Sequence, residues 1–585
     1  MSLIACRSTS PVPPDSTSTP VPSASDSNSA GGIGGSTSGT EDWFVDGAEA
    51  TGLRFNHMTG MTGAFYIPEI MGSGVGLLDV DNDGDLDVYF AQGGSLGPAT
   101  SAGARAASGA LNTGRLFRND LTVANDGTRI LRFTDVTDAS RITAAGYGMG
   151  VATGDVDNDG WTDLYLTMFG RNQLWRNNGN GTFSDISQRS GTDAGGWSVS
   201  ASFADYDRDG WLDLYVGHYL QYSIEADQKC SSPAGTRDYC APQVYRPQRD
   251  RLYRNNRNGT FTDISTTALR GTDIGPALGV VSADFDGDGW LDIYVANDSQ
   301  DNLLWMNQRD GTFRNTALRA GAAITADGRA EASMGVDAGD FDNDGDDDLV
   351  MTELNGEGVN LYVNKGDATF ADRSAASGLG PSTTPFTGFG MRWLDVDNDG
   401  WLDLLTVNGM VRQMDDRGAA PPPGTSLLPY AQRKRLLMNT RDGRFDDVSA
   451  RAGAVFGLSE VGRGAAFGDL DNDGDTDVVV SNGAGPAQLL LNTIGSRQHW
   501  VGLRLAGPSS LGALVTVTLQ DGRTLSRRAH ADGSYGSASD PRVLVGLGET
   551  AAPVTVRVRW SNGRTGEWRD VAPDRYTTLT EDAGR

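Results

Sequence analysis

What is scarce in this chain sets the first limits. No apolar run approaches the ~18 residues that a membrane-spanning helix needs, which excludes a membrane-spanning protein of that kind. Basic residues are outnumbered: 48 Lys and Arg face 76 Asp and Glu, for a formal charge of −28. That balance excludes a nucleic-acid partner, because phosphate contacts require Lys and Arg. Only four histidines occur, His57, His218, His499 and His530. No G-x-S-x-G, H-E-x-x-H or phosphate-cradling loop stands in the context such motifs require. Cysteine is nearly absent, with three residues, and the hydrophobic fraction of 38% is low for a globular chain. Glycine, by contrast, is plentiful at 78 residues, but it lacks the three-residue period of a collagen. A length of 585 residues then implies two or three domains or one closed repeat array.

The acidity is concentrated. Seven nine-residue windows read D-x-D-x-D-G-x-x-D, beginning at Asp79, Asp155, Asp205, Asp284, Asp340, Asp395 and Asp469. They hold 32 acids and one base, Arg208, and so carry −31, leaving +3 for all other residues. Four carboxylates within nine residues repel one another unless a cation sits between them. A hard divalent ion resolves this, and calcium, with 6–8 oxygens in flexible geometry, suits it better than magnesium. The expected ligands are Asp79, Asp81, Asp83, Asp85 and Asp87; Asp155, Asp157, Asp159 and Asp163; Asp205, Asp207, Asp209 and Asp213; and Asp284, Asp286, Asp288 and Asp292. The remaining loops add Asp340, Asp342, Asp344, Asp346 and Asp348; Asp395, Asp397, Asp399 and Asp403; and Asp469, Asp471, Asp473, Asp475 and Asp477. At position 7 a main-chain carbonyl joins them, that of Trp161, Trp211, Trp290 or Trp401 in four loops. Gly at position 6 allows the positive φ that folds the loop around an ion. An EF-hand is excluded, since it needs an acid at position 12, where this chain has Phe90, Leu166, Val216, Val295, Met351, Thr406 and Val480. The stretches after the loops (LDVYF, TDLYL, LDLYV, LDIYV) alternate as strands. Up to seven structural calcium ions between β-strands are expected.

The loop starts are spaced by 76, 50, 79, 56, 55 and 74 residues, in the range of propeller blades with insertions. Each unit offers strand A into the loop, strand B out of it, a short strand C ending in Asn (RLFRN119, QLWRN177, RLYRN255) and a strand D such as FTDVT. After Asn492 no F-x-D segment follows, and Trp43–Ala50 (WFVDGAEA) supplies the missing piece. The predicted fold is therefore all-β: a seven-bladed propeller over 43–495, closed by an N-terminal strand. All seven loops share one face. The long B–C insertions, Ala91–Gly114, Gly217–Arg249 and Val407–Lys434, lie on the other, where recognition is expected.

These loops with strand A resemble the FG-GAP/VCBS repeats of integrin α-subunit propellers. More specifically, MGSGVGLLDVDNDGDLDVYF, YCAPQVYRPQRDRLYRNN and VGRGAAFGDLDNDGDTDVVV resemble the cartilage acidic protein family, and the end (LGALVTVTLQDGR, GSYGSASDPRVLVGLG, VRVRWSNG) is similar to its ASPIC/UnbV domain. The resemblance implies a secreted, calcium-binding propeller with a C-terminal β module and no established enzymatic role. Two departures stand out: the segment PSSLGAL lacks the family's Asn-Arg, and Asn408-Gly409 is followed by Met410 where His is usual.

Residues 1–42 are rich in Ser, Thr, Pro and Gly and predict a disordered tether. Within them Leu3-Ile4-Ala5-Cys6 resembles a bacterial lipobox, which makes Cys6 a candidate for lipidation. Cys230 and Cys240 predict a disulfide and with it an oxidising compartment, extracellular, periplasmic or at the cell surface. Residues 496–585 alternate as short strands of a small β-sandwich or barrel. The function expected is a monomeric, non-enzymatic adhesion or recognition module for an extracellular protein or glycan. The alternatives are a polysaccharide lyase or hydrolase, or a lectin, using His218, Tyr219 and Tyr222 on the insertion face.

Overall fold

The computed structural model describes residues 42–61, 63–96, 113–233, 235–271, 273–413 and 428–581. The tether and Cys6 lie outside them, as does much of the first and third insertions. Asp42–Arg585 fold as one compact unit. Among the described residues no helix is long and apolar enough to cross a membrane.

The chain is all-β and has the architecture of a β-propeller. Each acidic loop joins the first two strands of a four-stranded antiparallel sheet, for example Tyr147–Gly154, Asp163–Arg171, Gln173–Asn177 and Phe183–Asp185. These four-strand units follow one another along the chain and are numbered as sheets 1–7 by their loops. Units 2 and 3 join into one eight-stranded sheet, where Gly195–Ala204 pairs with Asp163–Arg171, and unit 4 gains a short parallel strand, Leu269–Arg270. Sheet 7 takes its fourth strand from the other end of the chain: Phe44–Asp46 pairs with Gln488–Asn492, with Phe44 opposite Asn492. Because neighbouring sheets cover both faces, the second strands give up period-2 alternation for continuous burial, as in Asp477–Asn482, buried throughout.

The asparagine that ends each third strand ties one sheet to the one before it. Its side-chain amide donates to the carbonyl of loop position 2 in the preceding sheet: Asn177 to Val80 (3.0 Å), Asn255 to Val156, Asn307 to Tyr206, Asn364 to Phe285, Asn439 to Phe341 and Asn492 to Val396 (2.8 Å). The seventh bond runs from Asn119 of sheet 1 to Leu470 of sheet 7 (2.8 Å). Towards the axis the innermost strands approach so closely that a glycine is required. A Cβ on Gly150 would lie 2.2 Å from the Val199 carbonyl oxygen, and one on Gly335 2.1 Å from that of Phe389.

The C-terminal residues form two sheets, one of three strands around His499–Ala506 and one of four around Leu514–Thr518, that share an apolar core including Val501, Val517, Val556 and Trp560. This matches a small sandwich. The segment between its strands does something the sequence did not announce. Residues 533–538 enter the space between the innermost strands and bond to every sheet. Gly533 N–H donates to Val280, Val336 N–H to Ser534, Val151 N–H to Gly536, and Leu77 N–H to Ala538. The Ser534 hydroxyl donates to Ala465 O (2.8 Å) and accepts from Met391 N–H, while Gly536 N–H donates to the Ser200 hydroxyl (3.0 Å). Innermost strands present an edge of unpaired N–H and C=O groups, which in a buried channel must find partners. The inserted segment supplies them.

Candidate metal centres

Each acidic loop is built by its own carboxylates. The position-1 Asp accepts from the Gly N–H at position 6 in every loop, as Asp155 does from Gly160 (2.8 Å). The position-5 Asp accepts from the N–H of position 7, as Asp399 does from Trp401 (2.8 Å). Two residues of each loop have positive φ, the expected Gly at position 6 (83–101°) and also position 4 (54–68°), which is Asn in five loops, Arg208 in one and Gly287 in one. The position-9 Asp is buried, and in five loops it spans two backbone segments. Asp163, for example, accepts from Asn177 N–H (2.7 Å) and Val156 N–H (2.9 Å).

The carboxylates converge. Oxygens of Asp79, Asp81 and Asp87 lie within 4.8 Å of one another, as do those of Asp155, Asp157 and Asp163, of Asp205, Asp207 and Asp209, of Asp284, Asp286 and Asp292, and of Asp340, Asp342 and Asp344, with two further clusters. Several of these oxygens are buried and have no partner within the protein: Oδ1 of Asp81, Asp157, Asp207, Asp342 and Asp397 at position 3, Oδ1 of Asp284 and Asp340 at position 1, and Oδ2 of Asp348. Buried polar atoms are almost always satisfied, so the donor set is that of an oxygen-binding cation. Burial, reinforced by repulsion among neighbouring carboxylates, raises their pKa values without one: Asp205 to about 6, Asp340 and Asp469 to about 7, and Asp395 to about 8. Several of these Asp clusters could therefore hold a metal ion.

Sequence comparison adds the lineage. The FG-GAP-like repeat family matches residues 155–216, 235–295, 284–351 and 340–406, and the ASPIC and UnbV family matches residues 506–585. Cartilage acidic protein 1 of Mus musculus is 27% identical over 329 residues, 54% of this chain and 45% of that one; its Homo sapiens counterpart is 27% identical over 331 residues, 54% and 44%. The chain thus carries FG-GAP-like repeats and an ASPIC and UnbV domain, and is homologous to cartilage acidic protein 1 over about half of its length. It matches less than half the length of these relatives. Among solved structures it resembles one describing recognition of non-reducing terminal N-acetylglucosamine by an Agrocybe aegerita protein, at 17% identity, 57% coverage of this chain, 75% of that one and a TM-score of 0.35. A likeness at that score carries nothing further.

The C-terminal module sits on the loops. Arg504 donates to Gly84 O (3.1 Å), Arg527 to Gly400 O (3.0 Å) and Arg542 to Asp469 O (2.7 Å), while Arg559 pairs with Asp284 (2.7 Å). The insertions gather at the opposite end of the innermost strands, in an apolar cluster that includes Ile70, Tyr147, Trp197, Tyr219, Tyr239 and Tyr430. Tyr535, at the tip of the inserted segment, reaches this cluster and donates to Met71 O (2.6 Å). Cys230 and Cys240 form the expected disulfide there, with Cα atoms 5.1 Å apart. A cavity of about 150 Å³ lies beside it, lined by Ile67, Tyr219, Tyr239, Asp298, Asn355 and Arg412 among others.

His218 and Tyr219 are not on an open surface. His218 is fully buried, its ring between the Val216 carbonyl at Nδ1 and the Ser198 hydroxyl at Nε2, each 3.2 Å away. Tyr219 is buried against Trp197 and donates to Asp298 (2.5 Å); Tyr222 is half-buried and donates to Asp227 (2.9 Å). The place of His218 at the start of a long insertion suggested an open face, but the insertion folds back and covers it. Trp161, Trp211, Trp290 and Trp401 are half-exposed on the loop face, with Trp290 under the Arg208 guanidinium at 4.5 Å.

Proposed function

We propose that this chain is an exported, non-enzymatic recognition module. In this reading residues 43–495 make a closed, seven-bladed propeller whose loops hold structural calcium, residues 1–42 are a tether lipidated at Cys6, and residues 496–585 are the module that fills the channel. A glycan or an extracellular protein is the ligand, bound on the insertion-bearing face by a monomer. The observation that carries the reading is the set of buried carboxylate oxygens left without a protein partner in six of the seven loops. A hard cation is the partner such oxygens require, and calcium accepts an irregular, carboxylate-rich shell where magnesium does not. The disulfide and the cartilage relatives support an extracellular setting.

A lyase or hydrolase on this face would need a general base within reach of substrate. Burial holds His218 neutral, with its pKa lowered to about 4, and out of reach.

The test is thermal. Extracellular calcium modules bind at roughly 10⁻⁴–10⁻³ M, so millimolar calcium should raise the melting temperature by several degrees over protein in excess EDTA. Magnesium at the same concentration should restore little of the difference. An identical melt in calcium and in EDTA would sink the structural role.

A further inference from the structure

The residue at position 7 divides the loops into two kinds. It is Trp161, Trp211, Trp290 or Trp401 in four, and Asp85, Asp346 or Asp475 in three. The same division appears in space. Every Trp loop has a guanidinium on its position-5 carboxylate: Arg176 on Asp159 (2.6 Å), Arg257 on Asp209 (2.6 Å), Arg309 on Asp288 (2.6 Å) and Arg441 on Asp399 (3.0 Å). Three of these arginines stand two residues past the asparagine that ends the third strand, at positive φ, where the Asp loops have Leu121, Gly366 and Ile494. Asp83, Asp344 and Asp473 form no ion pair among the described residues; each accepts only the N–H of position 7.

We propose that the seven loops form two classes of calcium site, three tight ones at Asp85, Asp346 and Asp475 and four weak ones in which the arginine competes for the position-5 carboxylate. This rests on the calcium reading above and adds the ranking of the sites. In the clamped loops one oxygen of that carboxylate accepts from the backbone and the other from the guanidinium, so a metal must share or displace the arginine. The nine residues also carry four acids in each clamped loop against five or six in the others, and calcium affinity is tuned by the charge of its ligands.

One of the tight sites adjoins the junction that lacks a position-4 link. In most loops the position-4 side chain donates to the next loop, as Asn158 does to Gly210 O (2.8 Å) and Asn398 to Gly474 O (2.8 Å). Gly287 has no side chain to do so, which leaves the junction between sheets 4 and 5 without this link, and the loop of sheet 5 is a tight site. The other two tight sites belong to sheets 7 and 1, where the two ends of the propeller chain meet and Asn472 donates to Asp85 (2.6 Å).

The experiment is a calcium titration of the full chain, stripped with EDTA and desalted, followed by calorimetry with bound ions counted by native mass spectrometry. Three equivalents should bind at least about tenfold more tightly than the next four. Replacing three exposed clamps together (Arg257→Gln, Arg309→Gln, Arg441→Gln) should tighten three of the weak sites by roughly three- to fivefold. Asp475→Asn should remove one ion from the tight class. Binding in a single class, or a weak phase unmoved by the triple substitution, overturns the proposal while leaving calcium in place. A chain that takes up no calcium overturns the function proposed above as well.

Discussion

His218 shows how one side chain can link burial to acid sensitivity. Its Nδ1 faces a carbonyl, which only accepts, so Nδ1 carries the hydrogen and Nε2 accepts from Ser198, whose hydroxyl in turn accepts from Asn172 (2.9 Å). Both ring nitrogens are satisfied by the neutral form. Burial holds the pKa down to about 4, and the nearby Arg251 adds to the effect. In the unfolded chain the ring takes up a proton near pH 6.5. A depressed folded pKa contributes stability that is full above pH 6.5 and is lost as pH falls through 4. The gap corresponds to about 3 kcal/mol as an upper figure. His218→Asn, which can keep one of the two hydrogen bonds, should therefore give a flatter dependence of unfolding free energy on pH between 4 and 6.5. Urea melts across that range measure the slopes, and equal slopes for the variant and the parent would show that the ring titrates normally.

At the level of strands, the close packing around the axis is what glycine makes possible. A Cβ on Gly335 would meet the Phe389 carbonyl oxygen at 2.1 Å, and that atom belongs to a neighbouring strand that cannot retreat alone. Gly335→Ala should cost about 1–3 kcal/mol through this overpacking. Gly457→Ala, where nothing lies within 4 Å, should be nearly neutral. Thermal melts of the two variants in saturating calcium make the comparison, and equal stabilities would mean that the innermost strands are not tightly apposed. How far such features can be read from sequence depends on whether their cause is local. The loops were legible because charge repulsion acts within nine residues and repeats seven times. The asparagines ending the third strands were visible as a pattern, but their bonds cross to another sheet, so nothing local indicated their role. Position 4 was overlooked because an Asn at positive φ leaves little trace in composition. His218 and Tyr219 were misplaced because their burial is decided by partners outside their own insertion, Ser198 for the first and Trp197 and Asp298 for the second. The segment GSYGSASD had no apolar period, since its task is to satisfy backbone groups, and its small polar residues carry no local sign of that.

For the molecule as a whole, the inserted segment decides whether the C-terminal residues behave as a separate domain. An appended module touching a propeller at its rim could unfold independently, and a separate sandwich was the simplest expectation from residues 496–585. The contacts point the other way. Residues 533–538 bond to the innermost strand of every sheet, and Tyr535 packs against Phe389 at the far end of the channel with ring centroids 4.7 Å apart. Arg528 spans the junction that Gly287 leaves unlinked, donating to Ser282 O in sheet 4 and to Ala338 O (3.2 Å) in sheet 5. Withdrawing this segment would strand buried N–H or C=O groups on six of the seven edges, each costing about 1–3 kcal/mol. Such a sum is comparable to the usual 5–15 kcal/mol stability of a folded domain, so the propeller is not expected to outlast the module. Scanning calorimetry of the chain in calcium should show one cooperative transition, with calorimetric and van't Hoff enthalpies in agreement. Chelation should move that single transition to lower temperature without splitting it, because the loops and the module meet at the same arginines. Two resolved transitions, with the smaller enthalpy scaling to some 90 residues, would mean that the module leaves the channel while the sheets remain folded.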